Sequence, residues 1–341
     1  MTIASSDVVF YQSENVNDVA GSNGGGIGST EVVDYILNNL FQNVTHDERV
    51  AGVTRYRKMF VRNENVEDLV LYHCHLWISI LSTGGDYFRI KPGTDTDVQS
   101  AAEGYSNWAG SGTLAANITA GDGSLQVTYD AANGVYDGAT IRVDDGVHVE
   151  SMVVSGAPAF VGNTATINVT GTFTNNFSSG SGTIVSTKIN LGNIVADSGS
   201  WVETSATGTY DEAGYPLTVY NKGTVTDSWT LTFSDATNFS VSGASTGSVG
   251  SGDINTDFQP TNGSSYYFLL DKDGWGGNWQ AGDTITFTTT HAGYGVWVKE
   301  VVPAATGSLA GNLVALEWEA ESASTVTTTT TTTFTFTTTT T

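Results

Sequence analysis

Ser124-Leu-Gln-Val-Thr-Tyr129, followed by Tyr136-Asp-Gly138 turning into Thr140-Ile-Arg-Val143, carries the pattern that decides the fold. Leu125, Val127 and Tyr129 alternate with polar neighbours, which is the period of a strand with one buried face. An Asp-Gly pair then supplies a tight turn before the next alternating run. The same grammar recurs in Val8 to Tyr11, Arg55 to Arg62, Leu69 to Ile80, His148 to Val154, Ala165 to Val169, Ser228 to Phe233, Tyr266 to Leu270, Thr284 to Thr289, Gly295 to Val302 and Leu313 to Trp318. Clusters of Gly, Asn, Asp and Ser separate these runs. Strands without long intervening helices predict an all-β chain of antiparallel, Ig-like β-sandwiches plus a small β-barrel-like module.

Helix is expected only in short pieces. Thr30 to Phe41 places Val33, Ile36, Leu37 and Leu40 on one helical face, enough for three turns. Thr45-His-Asp-Glu48 has the spacing of a capping box, and Gly52 is placed to end the turn that follows.

Composition shifts divide the chain into an N-terminal β-sandwich domain (1–108), a small β module (113–188), a Trp-rich β-sandwich domain (189–323) and a Thr-rich tail (324–341). Strands within 295–318 have the shape of two final strands, belonging either to the Trp-rich domain or to the N-terminal sheet, the second of which would make the middle an insertion. Thr-Phe-Thr-Phe-Thr alternation gives the tail a strand period, and β-branched threonine suits a strand. A solitary strand is unstable in water, so the tail is expected to be disordered or paired with something outside the domain.

Only 12 Lys and Arg stand against 35 Asp and Glu, giving a net charge of −23 with 14% charged residues. Scarce bases argue against nucleic acid as a partner, which requires a basic patch. Five of the 12 bases fall between Arg49 and Arg62, where Arg55 and Arg57 share a strand face and are expected to pair with nearby acids. The lone Cys74 excludes an internal disulfide and a Cys-based zinc site. Neither a Sec signal peptide nor a run of about 18 apolar residues is visible, so folding in a reducing cytoplasm and no membrane insertion are expected.

Several stretches carry chemistry-bearing residues. His73-Cys74-His75 puts two imidazoles on one side of a strand, but a metal site needs a third ligand that the sequence does not offer nearby. Asp271-Lys-Asp273-Gly274 begins like a calcium loop, making Asp271 and Asp273 metal candidates; Trp275 then stands where an oxygen ligand belongs. Trp275 and Trp279, spaced by glycines, read as a packed turn or as a ligand and interface platform for carbohydrate. Gly24-Gly-Gly-Ile-Gly28 lacks the Lys-Ser/Thr ending of a phosphate loop and reads as a flexible loop. Gly243-Ala-Ser-Thr-Gly247 does not match a nucleophile elbow. Glu317 and Glu319 share a strand face, but sequence cannot bring them into a cleft as glycoside hydrolysis requires. No catalytic residue and no cofactor is expected.

Ile3-Ala-Ser-Ser-Asp7, Val8-Val-Phe-Tyr11, Ser29-Thr30, Leu37-Asn-Asn-Leu-Phe41 and Ala51-Gly-Val-Thr-Arg-Tyr-Arg-Lys-Met-Phe-Val-Arg-Asn63 resemble the opening of a family of tailed-bacteriophage virion structural proteins. Gly274-Trp-Gly-Gly-Asn-Trp-Gln-Ala-Gly-Asp-Thr-Ile-Thr-Phe-Thr288 and Val296-Trp-Val-Lys-Glu-Val-Val-Pro-Ala304 extend the likeness, and Ala120-Gly-Asp-Gly-Ser-Leu-Gln-Val127 is similar to small β modules of phage tail proteins. The resemblance covers most of 3–322 and leaves out the threonine tail. It implies a non-enzymatic virion component at the tail tip, baseplate or an attached fibre, with neck, collar or head decoration as the alternative position. Copies of the chain in symmetric homo-oligomers and other virion proteins are the partners it implies. Host-surface carbohydrate binding is the rival reading, and a hydrolase embedded in the virion is a third.

Overall fold

A computed structural model describes residues 3–36, 38–323 and 326–340. The chain is all-β and antiparallel. In order it runs β1 Val8–Asn15, β2 Gly24–Glu31, α1 His46–Ala51, β3 Val53–Asn63, β4 Leu71–Ile80, β5 Tyr87–Pro92, α2 Gln99–Glu103, β6 Ser111–Leu114, β7 Ser124–Thr128, β8 Thr140–Asp144, β9 Val149–Val153, β10 Ala159–Val161 and β11 Thr164–Asn168. It continues with β12 Ile184–Ile194, β13 Asp197–Thr204, β14 Gly208–Tyr210, β15 Thr218–Val219, β16 Asp227–Phe233, β17 Asn238–Gly243, β18 Gly247–Asp253, β19 Thr261–Asn262, β20 Ser265–Tyr266, β21 Phe268–Leu269, β22 Trp275–Gly277, β23 Thr284–Thr290, β24 Gly293–Val302, β25 Leu309–Ala323 and β26 Val326–Thr340.

Two compact units divide the chain: Met1–Val8, Arg62–Leu71 and Ile194–Gly293 form one, and Val9–Val61, Tyr72–Asn193 and Tyr294–Thr341 the other. The first is built on a sheet ordered β13-β23-β16-β17-β18. Register sets its core, because residues directly opposite one another share a face. Phe287 lies opposite Trp229, Ile285 opposite Leu231, Leu231 opposite Val241 and Phe233 opposite Phe239, and all are buried.

In the second unit one sheet has the order β2-β1-β3-β24-β5. Strand β24 thus sits between β3 and β5, far from both in sequence. The larger sheet runs β10-β11-β7-β6-β12-β4-β25-β26, with β8 on the other side of β12 and β9 beyond it. Within 113–188, Leu125, Val127, Ile141, Val143, Ala165, Ile167 and Val185 build a core of their own. Just past the ends of β9 and β11, Val154 and Val169 form an isolated bridge, beside which Thr170 N–H donates to Val153 O at 2.8 Å. That single bridge takes the place of a full closing ladder, so the region is an open arrangement rather than a closed barrel.

Three local expectations are corrected. Thr30 to Phe41 forms no helix among its described residues, because Thr30 and Glu31 belong to β2 and Tyr35 and Asn38 adopt φ of 59° and 58°. Positive φ at two non-glycine residues breaks a right-handed helix. Val33 and Ile36 are exposed while Val32, Leu40 and Phe41 are buried, so burial follows a loop rather than a helical face; Leu37 lies outside the described residues. Gly24 to Gly28 is a strand rather than a flexible loop: Gly25 N–H donates to Asp97 O at 3.1 Å, and Lys58 Nζ donates to Gly25 O at 2.7 Å. The threonine tail pairs within the chain as β26, antiparallel to β25 from Leu309 opposite Thr340 to Ala323 opposite Val326. A partner strand of equal length immediately before it in sequence satisfies one edge of its backbone.

The capping box forms as the sequence spells it. Thr45 Oγ1 accepts from Glu48 N–H at 3.3 Å, and Glu48 Oε2 accepts from Thr45 N–H at 2.7 Å. Gly52 ends α1 at φ 77°, with its N–H donating to Glu48 O.

Candidate functional site

Trp275 and Trp279 lie inside the first unit, not on a binding platform. Trp279 is 2% exposed and stacks on Phe233 with ring centroids 4.4 Å apart. Trp275 meets Tyr210 at 4.8 Å and Phe239 at 5.3 Å. Glycines make this packing sterically possible. A Cβ on Gly208 would fall 2.3 Å from Trp279 Cδ2, and one on Gly274 would fall 2.5 Å from Tyr210 Cζ. Both indoles, expected as a ligand or interface platform, pack into the core of this unit, Trp279 buried and Trp275 partly buried, alongside Phe258, Phe268 and Leu270.

Asp271 and Asp273 serve a turn. Asp271 Oδ1 accepts from Asp273 N–H at 2.8 Å, and Asp273 pairs with Lys272 Nζ at 2.7 Å. Among the described residues no group of three or more His, Cys, Asp or Glu side chains converges on a metal position, and this includes His73 and His75. Gly243 to Gly247 links β17 to β18, and the Asp227 carboxylate accepts from Ser245 and Thr246 N–H. Burial alone would raise Asp227, but the hydrogen bonds from Thr246 and Ser245 prevail and hold it below the usual carboxylate value.

The residues around His73 and Glu317 are brought together as a brace beneath β25. Register places Glu317 opposite Trp77 and Glu319 opposite His75. Glu319 pairs with Lys188 of β12, and His75 Nδ1 stands 3.7 Å from Glu319. His73, at φ 52°, contacts Glu321 at 3.2 Å. Burial pushes His75 below its ordinary value, with Lys188 adding to the effect and Glu319 opposing it. Trp77 is fully buried beneath two cations, Arg142 at 5.0 Å and Lys188 at 5.6 Å from its ring. Cys74 faces the core at 3% exposure. The basic cluster on β3 is likewise paired: Arg55 with Glu300 at 2.5 Å, Arg57 with Asp18 at 2.6 Å and Lys58 with Asp97 at 2.7 Å.

This brace holds the most distinctive surface of the chain. Among the described residues β26 ends its sheet with β25 as its one neighbour. The ladder is unbroken from Asn312 opposite Thr338 to Glu321 opposite Thr329. Fifteen residues at ~3.4 Å each give an edge on the order of 50 Å long. Val326 to Thr340 contains no charge, proline or glycine, so it lacks the usual devices that blunt an edge. Other edges differ: β10 has three residues, β13 is bulged between Gly199 and Val202, and the β17–β18 ladder shifts register after Val241. Sequence reading found the strand period of the tail but not its internal partner, since no local signal encodes a ladder partner.

In comparison with known proteins, the chain matches no family model and no curated protein sequence. Among the described residues no helix is long and apolar enough to cross a membrane.

Proposed function

We propose that this chain is a non-enzymatic structural subunit that joins copies of itself and neighbouring proteins by strand addition, in the virion of a tailed phage. The observation that carries this reading is the long, uncharged, regular edge of β26. An unpaired edge of this kind presents a row of backbone donors and acceptors ready for another strand. Closed symmetric assembly turns that hazard to use, while the net charge of −23 keeps free copies apart and soluble.

The likeness of residues 3–322 to tailed-phage virion proteins supports a place at the tail tip, baseplate or an attached fibre, with the neck or head surface as the alternative position. In support of a structural role, Asp271, Asp273, Glu319 and both glycine-flanked indoles are committed to a turn, an ion pair or core packing. Assembly in the host cytoplasm before release follows from the same reading.

Mass spectrometry of purified particles, with heads separated from tails, tests the placement: the chain is expected in the tail fraction. Recovery only among soluble host proteins would refute the virion role. A chain ending at Ala323 tests the edge, and is expected to remain monomeric in sedimentation while the full chain assembles. Equal assembly by both would refute strand addition through β26.

A further inference from the structure

Beside Lys299 of β24 lies an open cavity of about 220 Å³, lined by Asn107, Trp108, Asn133, Tyr136, Phe160 and Lys299. Two cations meet beside it. Lys299 of β24 stands directly opposite Arg89 of β5 in the ladder, and like charges in that position repel. Among the described residues neither cation has an ion-pair partner, in contrast to Arg55, Arg57, Lys58, Arg142 and Lys188. A chain with 12 bases against 35 acids has carboxylates to spare, yet Asp130 acts on Arg89 without forming an ion pair, and the one charge acting on Lys299 among the described residues is Arg89.

Arg89 is fixed and cannot turn away. It is 1% exposed, donates to Asn133 Oδ1 at 2.8 Å and to Phe88 O at 2.8 Å, and lies over the Tyr87 ring at 4.7 Å. Its alkyl stem and guanidinium need Gly110 and Gly134, where a Cβ would fall 2.6 Å and 3.0 Å from Arg89 atoms. Lys299 is the more accessible member, half-buried, with its ammonium 4.3 Å from the centre of the Trp108 ring. Burial pushes the Lys299 amine down to about 8, and Arg89 acts in the same direction. An anion entering the cavity would relieve both effects, since a half-buried charge without a counter-charge is costly.

The wall chemistry narrows the ligand. Trp108, Tyr136 and Phe160 offer aromatic surface for an apolar ring face, and the Asn107 and Asn133 amides offer donors and acceptors for hydroxyls. A divalent cation is opposed by both charges. A bare oxyanion would leave three aromatic walls unused, and a polyphosphate would need more than one accessible cation. The volume, below the ~300–1,000 Å³ of typical small-molecule pockets, suits one ring. We infer that this cavity binds a single acidic sugar residue, its carboxylate on Lys299 and its ring against Trp108, Tyr136 and Phe160.

Isothermal titration of the full chain with glucuronate, with glucose and with acetate tests the assignment. Glucuronate is expected to bind saturably and at least tenfold more tightly than either control. Lys299→Gln is expected to weaken glucuronate binding at least tenfold, and Lys299→Arg to retain it, with circular dichroism confirming that both variants fold. Near pH 8 binding is expected to take up protons, read from the dependence of the observed heat on buffer ionisation, because an adjacent anion raises the lysine. Equal binding of glucose, equal binding of acetate, no binding of glucuronate, or unaltered binding by Lys299→Gln would each overturn the proposal.

Discussion

Raising the pH from 4.5 to 8 should destabilise the second unit through one residue, Glu300. Its side chain on β24 is fully buried, with Arg55 Nη2 at 2.5 Å and Nε at 2.7 Å. The other charged groups near it are Asp86, itself held by Asn312 Nδ2 at 2.9 Å, and Glu48, 4.0 Å from Arg55. Burial pushes the Glu300 carboxyl up to about 7; Arg55 pulls it down and Asp86 raises it further. The folded state therefore favours the protonated acid. Its contribution is complete below the ordinary value of 4.5 and is lost as pH rises through about 7. A rise from 4.5 to about 7 corresponds to about 3 kcal/mol at ~1.36 kcal/mol per unit.

Glu300→Gln removes the titration. It also denies Arg55 a counter-charge wherever Glu300 is ionised, so the slope of stability with pH, not its absolute value, is diagnostic. Cys74, the lone cysteine and 3% exposed in the same unit, gives a local probe. Samples equilibrated in urea at each pH are pulse-labelled with a thiol reagent after a jump to a common pH, which yields the unfolded fraction. Between pH 4.5 and 8 the native chain should lose about 3 kcal/mol more than Glu300→Gln. Parallel stability curves for the two would exclude Glu300 as the source of the pH dependence.

Further outcomes follow from single contacts. Trp279→Ala should destabilise the first unit by about 3–5 kcal/mol in urea unfolding followed by tryptophan fluorescence, the cost of emptying a large buried aromatic site; a change below about 1 kcal/mol would contradict its core placement. Gly208→Ala at the same contact should cost about 1–3 kcal/mol by overpacking, and an unchanged urea midpoint would refute the close approach. Thr45→Ala should lose about 1 kcal/mol of local stability with the cap, seen as faster amide exchange in α1; unchanged exchange would show that the cap contributes nothing.

Chain order alone made two things legible, the secondary structure class and one complete local motif. Alternation at Leu125, Val127 and Tyr129 can be read without knowing the partner strand, because a strand with one covered face imposes period 2 on its own residues. Thr45 and Glu48 are three residues apart, so their reciprocal capping needs nothing beyond the turn itself. Tertiary structure decided which aromatic residues are core: Trp275 and Trp279 are as compatible with a platform as with a packed layer until Phe233, Phe239 and Tyr210 are brought beneath them. It overrode the helical pattern at Thr30 to Phe41, where buried Val32, Leu40 and Phe41 are satisfied by a loop. It also gave β26 its partner and set Arg89 against Lys299. Strand register is a relation between segments distant in the chain, fixed by which faces both can bury at once, and no single segment encodes it.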